Sequence, residues 1–172
     1  MQILAVVGIK KAGKTTTIEA LIRELSKRGY RVAAIKHIPD PDFSVDTPGK
    51  DTWRYAQAGA RTIVSVAENE IATIEKTSKK PSLMKLVKKC SGSDIVFIEG
   101  LKKTVQQNRK ILKIAVTKSK SEAENALKNY DPIIAFTGPY DTFELKLGAP
   151  YANARTNAKK LVDIIERFAG KQ

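Results

Sequence analysis

The chain has one cysteine, one histidine and one tryptophan among 172 residues, and each scarcity closes a route. A single Cys90 can form no internal disulfide, which fits a reducing cytosol, and one cysteine with one histidine falls short of any structural zinc set. With no histidine near it in sequence, Cys90 reads as a small apolar filler rather than a nucleophile. Aromatic residues make up 6% of the chain, few for the stacking platforms of single-strand nucleic-acid binders. No apolar run approaches the ~20 residues of a membrane span, and the N-terminus has no charged-then-apolar leader. The expectation is a soluble, cytoplasmic protein without membrane contact, folded as one domain over residues 1–172.

Acid is scarce as well: 18 Asp and Glu stand against 31 Lys and Arg, a formal net charge of +13. Such an excess suits an anionic partner. The basic residues are spread along the chain and form no familiar DNA- or RNA-binding motif, so nucleic acid is the weaker expectation and phosphorylated small molecules the stronger.

What is present is a phosphate loop. Gly8-Ile9-Lys10-Lys11-Ala12-Gly13-Lys14-Thr15 fits G-x-x-x-x-G-K-[ST] at every fixed position. It follows the apolar run Ile3–Val7, a strand buried on both faces, and precedes Ile18, Leu21, Ile22 and Leu25 at helical spacing. The two glycines let successive backbone N–H groups ring a phosphate at the positive end of a helix. Lys14 then reaches the β- and γ-phosphates and the Thr15 hydroxyl ligates Mg2+. A glycine-rich turn that merely starts a helix would explain neither the Lys-Thr pair nor the glycine spacing.

Strands and helices alternate from there on. A helix from Lys14 to Arg28 leads to a strand Arg31–Lys36, then an irregular loop 37–49 with three prolines and three aspartates, and a helix 50–58 ending at Gly59. Thr62–Val66 and Ile71–Ile74 read as a hairpin. Pro81 is expected to open a helix with Leu83, Leu86 and Val87 on its apolar face. Strands at Ile95–Ile98, Ile111–Val116 and Ile133–Phe136 follow, with a helix from Ser121 to Asn129 capped by a Ser121-x-x-Glu124 box, and a last helix 157–168. The pattern predicts an α/β, three-layer P-loop NTPase-like fold: a mostly parallel sheet covered by helices on both faces, with its ligand at the C-terminal strand edge.

A P-loop site needs a further acid for Mg2+ at the end of a strand beside the loop. Glu99, closing Ile95–Ile98 ahead of Gly100, meets that requirement, whereas Asp94 lies at the opposite strand end and reads as a turn residue. The acidic loop after the second strand occupies the place of a γ-phosphate-sensing switch, with Asp42, Asp46 and Asp51 as candidates. His37, closing the second strand, reads as a hydrogen-bonded structural residue.

Four stretches together resemble the molybdopterin-guanine dinucleotide biosynthesis protein B family: Gly8–Thr15 with Thr16, Lys36-His37, Asp46–Thr52 followed by Ala58-Gly59-Ala60, and Ile98–Lys102. The resemblance spans roughly the first two-thirds of the chain. It implies a GTP-binding protein, usually dimeric, that assists a molybdenum cofactor guanylyltransferase in attaching GMP to molybdopterin, with at most weak GTPase activity. On this chain it implies that Gly8, Lys10, Lys11, Ala12, Gly13, Lys14, Thr15 and Thr16 hold the phosphates, and that Thr15 and Glu99 serve Mg2+. Lys14 and Asp46 are the residues expected to act on the γ-phosphate. Lys50 and Asp51 flank the γ-phosphate or the molybdopterin ligand, and Lys102 stands beside them. The chain departs from the family in having Ile38-Pro39-Asp40-Pro41-Asp42 where many members carry a further histidine. Thr117-Lys118-Ser119-Lys120 stands where an Asn-Lys-x-Asp guanine signature would, so guanine preference is implied by likeness alone. A P-loop small-molecule kinase, using a basic loop from Lys102 to Lys110, is the competing reading.

Overall fold

Short β-rich runs bounded by turn residues, alternating with segments of helical periodicity except at one hairpin, dictate the element order. The computed structural model describes residues 1–141 and 148–169. Within them lie β1 (Gln2–Val7), α1 (Lys14–Lys27), β2 (Val32–Lys36), α2 (Asp51–Gln57), β3 (Thr62–Val66) and β4 (Ile71–Glu75). There follow α3 (Leu83–Lys88), β5 (Ile95–Glu99), α4 (Lys102–Val105), β6 (Leu112–Val116), α5 (Lys120–Asn129), β7 (Ile133–Thr137) and α6 (Ala158–Ala169). The described residues gather into two compact units, one formed by residues 1–37 and those from Leu86 onward, the other by Ile38–Lys85.

The first unit is built on a five-stranded sheet in the order β2-β5-β1-β6-β7, parallel at every pairing. β1 is central because nearly every side chain in it is apolar and buried. Leu4 and Val6 of β1, Ile95 and Phe97 of β5, and Ile114 and Val116 of β6 share one core with Ile18, Leu21 and Leu25 of α1 and Leu161 and Ile165 of α6. Residues of the opposite parity, Ala5, Val96, Ile98 and Ala115, are equally buried, as are Val105 of α4 and Ala123 of α5. The sheet is therefore covered on both faces, as the alternation of strands and helices predicts. Its order reverses around β1, so the crevice beyond the C-terminal end of β1 is where such a sheet takes its ligand.

Polar ties hold the helices in place. Arg28, at the end of α1, reaches Glu24 at 3.0 Å and crosses to Asp163 and Glu166 of α6, both at 2.8 Å. At the N-terminal strand edge Asp94 does more than turn the chain. It accepts hydrogen bonds from the Arg31 backbone N–H at 2.9 Å and from its guanidinium at 2.8 and 3.2 Å, which hold the carboxyl down to about 2.

In the second unit, β3 and β4 pair antiparallel as the expected hairpin. α2 ends as its glycine predicts, the Gly59 N–H donating to Ala56 O at 3.1 Å and the Ala60 N–H to Tyr55 O at 3.0 Å.

Three local expectations shift. Pro81 does not open α3: Ser82 Oγ accepts from the Lys85 N–H at 3.3 Å, and the helix starts at Leu83. The cap of α5 is Ser119, whose Oγ accepts from the Glu122 N–H at 3.3 Å while Glu122 Oε2 accepts from the Lys118 N–H at 2.9 Å. That box lies two residues before Ser121-x-x-Glu124, and the helix it starts buries Ala123 and Ala126. The basic stretch after Glu99 begins with the short helix α4 rather than a loop. Among the described residues no helix is long and apolar enough to cross a membrane.

Candidate functional site

Gly8 is where β1 gives way to the loop, and its backbone explains the residue. Its φ is +148°, and a Cβ there would lie 2.5 Å from Val116 O, so only glycine lets the β1 and β6 ends approach this closely. The loop closes on itself through the Ala12 N–H, which donates to Ile9 O at 3.3 Å. It delivers Gly13, at φ +101°, as the N-cap of α1. The start of α1 has no side-chain cap and no acidic residue in its first turn. Its amide donors and the positive end of its dipole are therefore left for an external anion.

Lys14 folds back across the loop, donating to Gly8 O at 3.1 Å and Ile9 O at 2.6 Å. Burial draws its ammonium below the usual lysine range; Glu99 opposes that shift and Lys36 adds to it.

The acid expected beside the loop is in place. β5 pairs with β1, and at its end the Thr15 hydroxyl donates to Glu99 Oε2 at 3.0 Å, with Oε1 at 3.3 Å. A tight turn fixes the carboxylate: Gly100 has φ +95°, and a Cβ on it would sit 2.8 Å from His37 Cβ. The His37 backbone N–H donates to Glu99 O at 2.9 Å.

Lys36 belongs to the same corner, although its position at a strand end carries no spacing signal. β2 pairs with β5 so that Lys36 stands opposite Glu99. Its Nζ lies 2.9 Å from Glu99 Oε1 and 3.4 Å from Thr15 Oγ1.

A cavity of about 290 Å³ opens next to Gly13 and Thr16, between the ends of β6 and β7. Lys118, Gly138, Asn153 and Arg155 line its far side. Lys118 lies within the Thr117–Lys120 segment, and sequence spacing gave no means of linking Asn153 and Arg155 to it.

The remaining expected residues fall as follows. Lys10, Lys11 and Lys102 are exposed, the last as the first residue of α4, and Ala12 is buried. Asp46 belongs to the second unit, where its Oδ1 accepts from the Thr52 hydroxyl at 2.7 Å and the Thr47 N–H at 3.0 Å. Its Oδ2 is buried without a hydrogen-bond partner. Lys50 caps α2 from an extended conformation, and Asp51, exposed, lies 3.6 Å from Arg54.

Residues 3–138 match the profile of the family described as molybdopterin guanine dinucleotide synthesis protein B. The molybdopterin-guanine dinucleotide biosynthesis adapter protein of Haemophilus influenzae is 36% identical over 102 residues, covering 58% of this chain and 57% of that protein. A putative adapter protein of the same description from Methanocaldococcus jannaschii is 30% identical over 124 residues, 72% of this chain and 50% of its own length. The chain thus spans between half and three-fifths of these relatives. In fold it is similar to the crystal structure of Bacillus subtilis MobB, with a TM-score of 0.72 at 23% identity over 97% of both chains. The P-loop, the acid ending β5 and a match running through the end of β7 converge on one assignment: the chain belongs to the molybdopterin guanine dinucleotide synthesis protein B family.

Proposed function

We propose that this chain is a cytoplasmic GTP-binding accessory protein that assists a molybdenum cofactor guanylyltransferase in forming molybdopterin guanine dinucleotide. The observation that carries the nucleotide half of this reading is the meeting of Thr15 with Glu99 at 3.0 Å beside Lys14. A hydroxyl and a carboxylate are the hard oxygen donors Mg2+ prefers, and the ammonium of Lys36 already lies against both. The donor set fits the ion, and Thr15 and Glu99 are the residues that would hold it. Mg2+, when bound, neutralises charge on the β- and γ-phosphates.

The chain's own groups supply the rest. Gly8 to Thr16 offer backbone donors at the uncapped start of α1, and Lys14 exchanges the carbonyls of Gly8 and Ile9 for phosphate oxygens. The reading seats the nucleoside in the cavity lined by Lys118, Asn153 and Arg155. The side chains bonded to Thr15 among the described residues, a carboxylate and an ammonium, include no amide that could orient water, which supports slow intrinsic hydrolysis. By family resemblance Asp46 is the loop acid assigned to the γ-phosphate, and Lys10, Lys11, Lys50, Asp51 and Lys102 are assigned to the phosphates and the molybdopterin ligand. The family match and the relatives' description as adapter proteins support the pathway. Val64, Val66 and Ile71, exposed on one face of the hairpin, support a homodimer.

Reconstitution tests the reading. Added to a molybdenum cofactor guanylyltransferase with molybdopterin and Mg-GTP, the chain raises the yield of the dinucleotide, and a Lys14→Met variant does not. No stimulation by the wild-type chain, together with transfer of labelled γ-phosphate to a small acceptor, would favour a kinase instead.

A further inference from the structure

Glu99 is paired with a cation from its own fold. Its side chain is 14% exposed, and Lys36 Nζ lies 2.9 Å from Oε1, whereas the Lys36 side chain is 53% exposed. The asymmetry has a direction: the lysine can swing into water at little cost, but the largely buried carboxylate loses its ion pair with Lys36 when it does. The same ammonium lies 3.4 Å from Thr15 Oγ1, so it sits against both oxygens assigned to Mg2+. Lys14 does not duplicate this role, since its Nζ is held by the carbonyls of Gly8 and Ile9.

We infer that Lys36 is an internal counter-cation of the metal site, holding Thr15 and Glu99 in the metal-free protein and giving way to Mg2+. The inference rests on the nucleotide-binding reading of the P-loop. Its consequence is coupling. While Lys36 neutralises Glu99, Mg2+ alone gains little by entering; when a nucleoside triphosphate adds its negative charge, the exchange of ammonium for the divalent ion becomes favourable. Metal and nucleotide then arrive together, and Lys36 is released to solvent.

The test is fluorescence titration of a mant-labelled GTP into wild type, Lys36→Met and Lys36→Arg, in EDTA and across a Mg2+ series. In EDTA the Met variant binds about fivefold more weakly, because Glu99 then faces the phosphates uncompensated, a change of the size expected for a half-exposed ion pair. In the Mg2+ series its half-saturating concentration falls by about the same factor, the competitor being gone, and its affinity at saturating Mg2+ equals or exceeds that of wild type. The Arg variant follows wild type throughout. A Met variant weakened equally in EDTA and in saturating Mg2+ would make Lys36 a phosphate ligand and overturn the inference, as would one unchanged in both. Failure of the wild-type chain to bind at any Mg2+ concentration would instead remove the nucleotide reading itself, and the inference with it.

Discussion

Thr15 and Glu99, 84 positions apart in the chain, meet hydroxyl to carboxylate at 3.0 Å at the open end of the parallel sheet. Neither is placed by its own helix or strand alone. Thr15 is set by the turn that starts α1, and Glu99 by the register of β5 against β1 and β2.

Replacing Glu99 with Gln keeps the side chain's shape and its acceptor for Thr15 while removing the charge. In saturating Mg2+ the affinity for a nucleoside triphosphate should fall about tenfold, the worth of one charged oxygen ligand. In EDTA it should hold or improve, since a negative group beside the phosphates is gone. Equal losses in both conditions would deny Glu99 its metal role.

Lys14→Met separates binding from stability. The ammonium is partly buried and donates to loop carbonyls, and burial already presses it toward neutrality. Its removal should leave the melting temperature unchanged or slightly raised while lowering triphosphate affinity on the order of 100-fold. A strongly destabilised variant would mark the lysine as structural.

Lys113 makes a different prediction, away from the site. Fully buried on β6, its ammonium donates to Asn108 O at 2.7 Å and to Asp131 O, and burial pulls it down to about 8 from an ordinary 10.5. Between those values the unfolded chain keeps a proton that the fold releases, so this group's contribution to stability rises as pH climbs from 8 to 10.5. Denaturant titrations across that window should show wild type gaining up to about 3 kcal/mol relative to Lys113→Met. Parallel curves for the two proteins would contradict it.

Arg28 pairs with Glu24 within α1 and ties that helix to α6 through two further carboxylates, Asp163 and Glu166. Arg28→Ala should lower stability by about 1 kcal/mol, more than one exposed ion pair usually gives, because the three share one guanidinium. Thermal melts in low and 1 M salt check this: the difference between the proteins should shrink at high salt.

Much of this was legible from residue patterns and some of it could not be. The P-loop was readable because the spacing of Gly8, Gly13, Lys14 and Thr15 is itself the constraint, and Glu99 because an acid ending an apolar strand is visible locally. Lys36 was not, since its role depends on β2 lying beside β5, and strand order is a property of the assembled sheet. Ser119 and Ser121 each offer a Ser-x-x-Glu box in overlapping sequence, and only the hydrogen bonds of the folded chain show that Ser119 is the cap. Lys113 looked like one more lysine in a basic chain. That it is buried follows from β6 standing between β1 and β7, with both faces covered.

Calorimetric titration with GTP and with ATP, each with Mg2+, tests the central claim most directly. The account predicts saturable, Mg2+-dependent binding of GTP with one site per chain and clearly weaker binding of ATP. Equal affinities would contradict the guanine assignment, and no heat from either nucleotide would contradict the assignment of Gly8, Lys14, Thr15 and Glu99 as a nucleotide site.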